Sequence, residues 1–145
     1  MKPRVLFVCI HNSARSQMAE AFLNRFGADL FHAESAGIEP GVINPLVVTA
    51  MTEIGYDLSK AKTTSVAEVL ESGRDFAFVV TVCDETSAER CPVFPGATRR
   101  LHWGFPDPSA LTGSVEERLV RIREIRAAIA HRIEAWCVEQ RAALT

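Results

Sequence analysis

Apolar and polar positions along the chain fall into alternating short runs and helical repeats. Val5, Leu6, Phe7, Val8 and Cys9 form an unbroken apolar run behind Pro3. A run of this length, closed by polar residues, reads as a strand buried on both faces of a parallel sheet. Met18, Ala19, Phe22, Leu23 and Phe26 then recur at helical spacing, with Gly27 as the stop. Residues 31–36 alternate loosely and end at Gly37, which predicts a second strand, and residues 38–44 read as a loop. Asn44-Pro45 has the form of an N-cap with proline at the first helical position. Leu46, Val47, Val48, Met51 and Ile54 supply that helix's apolar face, and Gly55 its end.

A short helix is predicted over residues 66–70, closed by Gly73. Residues 76–82 are apolar and β-branched, which predicts a third strand in the centre of the sheet. Arg99, Arg100, Leu101 and His102 read as a fourth strand at an edge. Ser114 and Glu117 have capping-box spacing and open a long helix. Its apolar stripe is Val115, Leu119, Ile122, Ile125, Ile129, Ile133 and Trp136, with Glu117 and Arg121 spaced to pair on the solvent side. This alternation predicts a three-layer α/β fold: a central four-stranded parallel sheet flanked by helices on both faces.

Length and composition narrow the function classes. With 145 residues and no internal repeat, linker or low-complexity stretch, the expectation is one domain over 1–145, a monomer. A net charge of −2 and the absence of a long basic block argue against nucleic acid as a partner. Residues 1–4 are basic, but the apolar run behind them is too short for a signal peptide or a membrane span. The expected location is cytoplasmic, with no membrane partner. In that reducing compartment the four cysteines are catalytic, redox-active or buried rather than a disulfide frame.

The junction of the first strand and first helix carries the clearest chemistry. It lies at the carboxyl end of a strand, where open α/β sheets bind ligands. Backbone amides of Ile10, His11, Asn12, Ser13 and Ala14, winding into a helix, suit a tetrahedral oxyanion. Arg15 adds a planar fork for two oxygens of that anion. Cys9 sits at the base of this positive field, which favours a nucleophilic thiolate. Ser16 is placed to donate to the sulfur, and Asn12 to brace the loop. His11 is placed either to tune Cys9 or to point out of the loop. The alternative for Cys9 is a buried structural thiol ending a strand.

Two further segments bear on the same chemistry. Cys83 follows the third strand at its carboxyl end, and Cys91 precedes Pro92 in a polar loop. If the first and third strands are neighbours, Cys83 emerges on the same rim as Cys9. Three sulfurs could then act in series. The alternatives are unrelated cysteines or zinc ligands, but a structural zinc site requires a further close pair such as C-x2-C, which the chain lacks. Cys137 matches no motif and reads as a buried thiol. Asp107, held between Pro106 and Pro108, is stiffly placed. It reads either as a turn residue or as an acid that protonates a departing oxygen.

Cys9-x5-Arg15-Ser16 resembles the phosphate-binding loop of low-molecular-weight protein tyrosine phosphatases. Ser16-Gln17-Met18-Ala19-Glu20 is more similar to the thioredoxin-coupled arsenate reductases of that fold, whereas the phosphatases usually carry proline where Gln17 stands. The likeness extends along almost the whole chain. It implies a Cys9 nucleophile, Cys83 and Cys91 as a resolving redox pair, and Asp107 in a W-G-x-x-D-P loop as the acid. It implies arsenate as substrate, with phosphate or sulfate as competing oxyanions. No tightly bound cofactor is implied, only an external dithiol reductant, thioredoxin. Asn12, Glu20 and Ser35 resemble three ligands of a potassium ion that some reductases bind, but Val66 stands where an aspartate is expected. His11 and Ala14 depart from the more usual glycine and cysteine. Where phosphatases carry tyrosine after Asp-Pro, this chain has Ser109, and Tyr56 is its only tyrosine. A tyrosine phosphatase, a redox-sensing module and a reductase served by glutathione or a glutaredoxin-like protein are the competing readings.

Overall fold

A computed structural model describes residues 2–83 and 98–144. Its sheet is built from β1 (Arg4–Cys9), β2 (His32–Gly37), β3 (Phe78–Thr81) and β4 (Arg99–His102). All neighbours pair in parallel, in the order β2-β1-β3-β4, with β4 at the edge as its sequence predicts. The helices are α1 (Arg15–Phe26), α2 (Pro45–Thr52), α3 (Val66–Glu71) and α4 (Val115–Ala143), with a 3-10 turn at Pro108–Ala110.

Side chains alternate across a strand, so β1 feeds two cores. Val5, Phe7 and Cys9 join Val80 and Val82 against the apolar faces of α1, α2 and α4. Leu6 and Val8 join Ala36 and Val79 against Val66 and Val69 of α3. Burial on both faces explains why β1 reads as an uninterrupted apolar run. An aromatic cluster locks the first core. Trp136 stacks on Phe31 at 5.0 Å and meets Phe78 and Trp103 edge-on at 5.0 and 5.4 Å.

Several local expectations are corrected by tertiary context. α2 ends at Thr52 rather than at Gly55, because the chain turns there: Tyr56 N–H reaches back to the Met51 carbonyl and Gly55 has φ +88°. Ile54 therefore lies past the helix, 39% exposed. Val115 is the first helical residue of α4 and is also exposed. Glu117 does not pair with Arg121, because its carboxylate completes the capping box on Ser114; Arg121 instead meets Glu124 at 3.4 Å. Cys137 is buried as expected, and desolvation raises its thiol pKa. Among the described residues no helix is long and apolar enough to cross a membrane.

Candidate active site

Cys9 ends β1 and Arg15 begins α1, so five residues make the turn between them. Backbone pairing dictates which way their peptide groups face. Carbonyls of Cys9, Ile10, His11 and Ser13 accept from the N–H groups of Ile38, Glu39, Gly41 and Asn44 at 2.7–3.1 Å. The Asn12 carbonyl accepts instead from Gln17 Nε2 at 3.2 Å. In a planar trans peptide the N–H points opposite to the carbonyl. Tying these carbonyls outward therefore turns the N–H groups of residues 10–14 toward the loop's interior, a concave donor array. The α1 N-cap is Ala14, whose side chain makes no capping bond, and the first helical turn holds no acidic residue. Nothing in the cap competes for those donors.

The clamp requires close approach of β2. A Cβ on Gly37 would stand 2.7 Å from Asn12 N and 2.8 Å from both Ile10 O and His11 C. Only glycine fits there. From sequence alone Gly37 marks only the end of a strand.

Two donors converge on the Cys9 sulfur, itself 2% exposed. Asn12 N–H reaches Sγ at 3.2 Å and Ser16 Oγ lies 2.9 Å away. Asn12 Nδ2 donates to Ser16 Oγ at 2.7 Å, which leaves the Ser16 hydroxyl hydrogen to point at the sulfur. The orientation of the Asn12 amide is set by its Oδ1, which accepts from Thr64 N–H at 3.0 Å and Gln17 Nε2 at 3.1 Å. Asn12 holds φ +54°, a left-handed conformation that asparagine tolerates. The bracing role predicted for Asn12 thus has a definite form. Donors aimed at the sulfur suit its anionic state.

His11 points outward: its Nδ1 lies 2.8 Å from the Glu39 carbonyl oxygen, which can only accept, so Nδ1 carries the hydrogen. Arg15 is 6% exposed and reaches the loop that carries Asp107. Its Nη1 donates to the Phe105 carbonyl at 3.0 Å and its Nη2 stands 3.8 Å from Asp107 Oδ2. Asp107 Oδ1 caps the 3-10 turn by accepting from Ser109 N–H at 2.9 Å. The loop carrying Asp107 is anchored by Trp103, which packs at 6.2 Å from Phe7 of β1 and lies under the Arg132 guanidinium at 4.9 Å.

The register of β1 and β3 pairs Val8 with Thr81, and Val82 N–H donates to the Val8 carbonyl at 2.9 Å. Cys83 therefore leaves the sheet on the same rim as Cys9, and it is fully buried. A Cβ on Gly104 would lie 3.7 Å from the Cys83 carbonyl, so the Asp107 loop packs on that segment. Cys91, the other half of the expected pair, lies outside the described residues.

The candidate potassium ligands are only partly brought together. Ser35 Oγ donates to Glu20 Oε1 at 2.9 Å. Burial raises the Glu20 pKa, a shift opposed by the Ser35 hydrogen bond and assisted by Glu34. Asn12 Oδ1 is already taken by Thr64 and Gln17, and Val66 supplies no carboxylate. This donor set does not suit a potassium ion.

Tyr56 lies away from the loop, edge-on to Phe22 at 5.2 Å and under Arg25. A groove of ≈ 590 Å³ lies on the outer side, by Gly41 and outward-pointing His11, lined by Val42, Ile43, Pro45, Val48, Leu58 and Lys62, among others.

Comparison with known proteins gives the family. The family model for low molecular weight phosphotyrosine protein phosphatase matches residues 4–144. An arsenate reductase of Shouchella clausii is 39% identical over 135 residues, 93% of this chain and 95% of that protein. The crystal structure of an arsenate reductase from Archaeoglobus fulgidus is 34% identical with a TM-score of 0.63, covering 92% of this chain and 98% of that one. A thioredoxin-dependent arsenate reductase of Corynebacterium glutamicum is 27% identical with a TM-score of 0.63, covering 92% of this chain and 63% of that one. This chain belongs to the low molecular weight phosphotyrosine protein phosphatase family.

Proposed function

We propose that this protein is an arsenate reductase that works through Cys9 and a disulfide relay. Arsenate sits on the inward amides of residues 10–14 and on the Arg15 fork. The Cys9 thiolate attacks arsenic, forming an As–S bond. The departing oxygen takes a proton from Asp107 and leaves as water. Cys83 then attacks Cys9 Sγ. An S–S bond forms, the S–As bond breaks, and its electron pair reduces arsenic from the +5 to the +3 state, releasing arsenite. Cys91 attacks Cys83 Sγ, which frees Cys9 and leaves a Cys83–Cys91 disulfide. A dithiol protein of the thioredoxin type reduces that disulfide.

The observation that carries this reading is the shared rim: Cys9 ends β1, Cys83 lies two residues past the end of the neighbouring parallel β3, and the loop that bears Asp107 packs there. Its test is arsenate-dependent NADPH oxidation with thioredoxin and thioredoxin reductase. Substituting Cys83→Ser is expected to abolish multiple turnover, and full turnover by that variant overturns the relay. A glutathione and glutaredoxin couple run in parallel identifies the reductant.

Phosphate shares the tetrahedral shape and charge of arsenate, which favours one secondary activity, hydrolysis of phosphate monoesters through a Cys9 phosphocysteine. Slow cleavage of an aryl phosphate is expected. Brisk cleavage without NADPH consumption makes the protein a phosphatase instead.

A further inference from the structure

We infer that Gln17 is a positioning residue of the oxyanion loop, acting through Asn12. Four of the five loop carbonyls from residues 9 to 13 are tied outward by backbone N–H groups of residues 38–44. The Asn12 carbonyl has no such backbone tie; the Gln17 side chain supplies it. That bond turns the following peptide so that Ser13 N–H faces the loop's interior. The same Nε2 reaches Asn12 Oδ1 at 3.1 Å and the Lys62 carbonyl at 3.1 Å. Asn12 is thereby held at both its main chain and its side chain in a left-handed conformation. From there Asn12 serves the sulfur twice, by its own N–H and by orienting the Ser16 hydroxyl.

Gln17 is 2% exposed, third in α1, and touches neither Cys9 nor the loop's interior by any of these bonds. Its effect on an oxyanion is preorganisation: a donor array held in place loses less freedom on binding. The inference rests on reading Cys9 and its loop as the oxyanion site, and the test separates the two claims.

Inorganic phosphate is titrated against alkylation of Cys9 by iodoacetamide, followed on the Cys9 peptide by mass spectrometry. Protection of wild-type Cys9 tests the site itself; no protection overturns that reading and this inference with it. Gln17→Met keeps the length of the side chain and removes the donors. The folded variant is expected to need about tenfold more phosphate for half-protection, and its unprotected Cys9 is expected to react about tenfold more slowly at pH 6. Gln17→Lys restores donors to the three oxygens and is expected to return both values to within threefold of wild type. A purely structural role lowers the melting temperature of Gln17→Met but leaves half-protection of the folded protein within twofold of wild type, and that result overturns the inference. If Gln17→Met does not fold, Gln17→Lys decides: wild-type or tighter phosphate binding upholds it, and tenfold weaker binding overturns it.

Discussion

Asp107 shows how one side chain meets two partners with different oxygens. Oδ1 caps the 3-10 turn on Ser109 N–H, while Oδ2 faces the Arg15 guanidinium. Asparagine keeps a carbonyl oxygen for the cap but has no carboxyl proton to give. In the proposed mechanism Asp107→Asn is therefore expected to melt within a degree or two of wild type, yet lose roughly 10²-fold or more in kcat for arsenate reduction, the usual range for a missing general acid. Unchanged kcat removes Asp107 from the mechanism. At this scale the sequence was informative where a residue stands in a recognisable spacing, as Cys9, Arg15, Ser16 and Asp107 do. Gln17 and Gly37 were illegible as loop braces. Their value comes from what lies across the turn: the Asn12 carbonyl for one, and the backbone of residues 10–12 for the other.

Between elements, α4 is held to α2 by charge as well as by its apolar stripe. Glu53 follows the last residue of α2, where a carboxylate opposes the helix dipole. Two arginines of α4 reverse that penalty. Arg123 grips Glu53 through Nε and Nη2 at 2.7–3.2 Å, and Arg126 Nη1 meets Oε1 at 2.9 Å. Arg126 Nη1 also donates to the Ala50 carbonyl at 2.7 Å, near the free end of α2. The hydrogen bonds from Arg123 outweigh desolvation and, with a lesser share from Arg126, lower the Glu53 pKa from 4.5 to about 2. A carboxyl with a depressed folded pKa stabilises the fold above its unfolded value and loses that contribution as pH falls through the folded one. Glu53→Gln is thus expected to melt below wild type at pH 7, with the gap closing between pH 4.5 and about 2. A gap independent of pH places the effect in packing. The apolar stripe of α4 was legible because its period is local. This charge clamp was not, since it joins residues 70 and 73 positions apart.

Across the whole molecule, the alternation of strands and helices specified the layers, and the apolar run of β1 specified its central place. Strand order fixes the rest: β1 between β2 and β3 puts the clamp from residues 38–44 on one side of the oxyanion loop and Cys83 on the other. Several elements thus meet at one loop, so filling the loop should stabilise all of them together. A ligand bound only by the folded state adds RT ln(1 + [L]/Kd), about 2.7 kcal/mol at a hundredfold excess over Kd. For a chain near 150 residues each kcal/mol raises the melting temperature by about 2–4 °C. Phosphate at that excess is expected to raise the melting temperature by roughly 5–11 °C, since phosphate shares the tetrahedral shape and charge of arsenate. Arg15→Lys keeps the charge but loses the fork that spans two oxygens, so most of the shift should disappear at the same phosphate concentration. An undiminished shift in Arg15→Lys means that phosphate binds elsewhere on the fold, and the loop then loses its claim to the substrate.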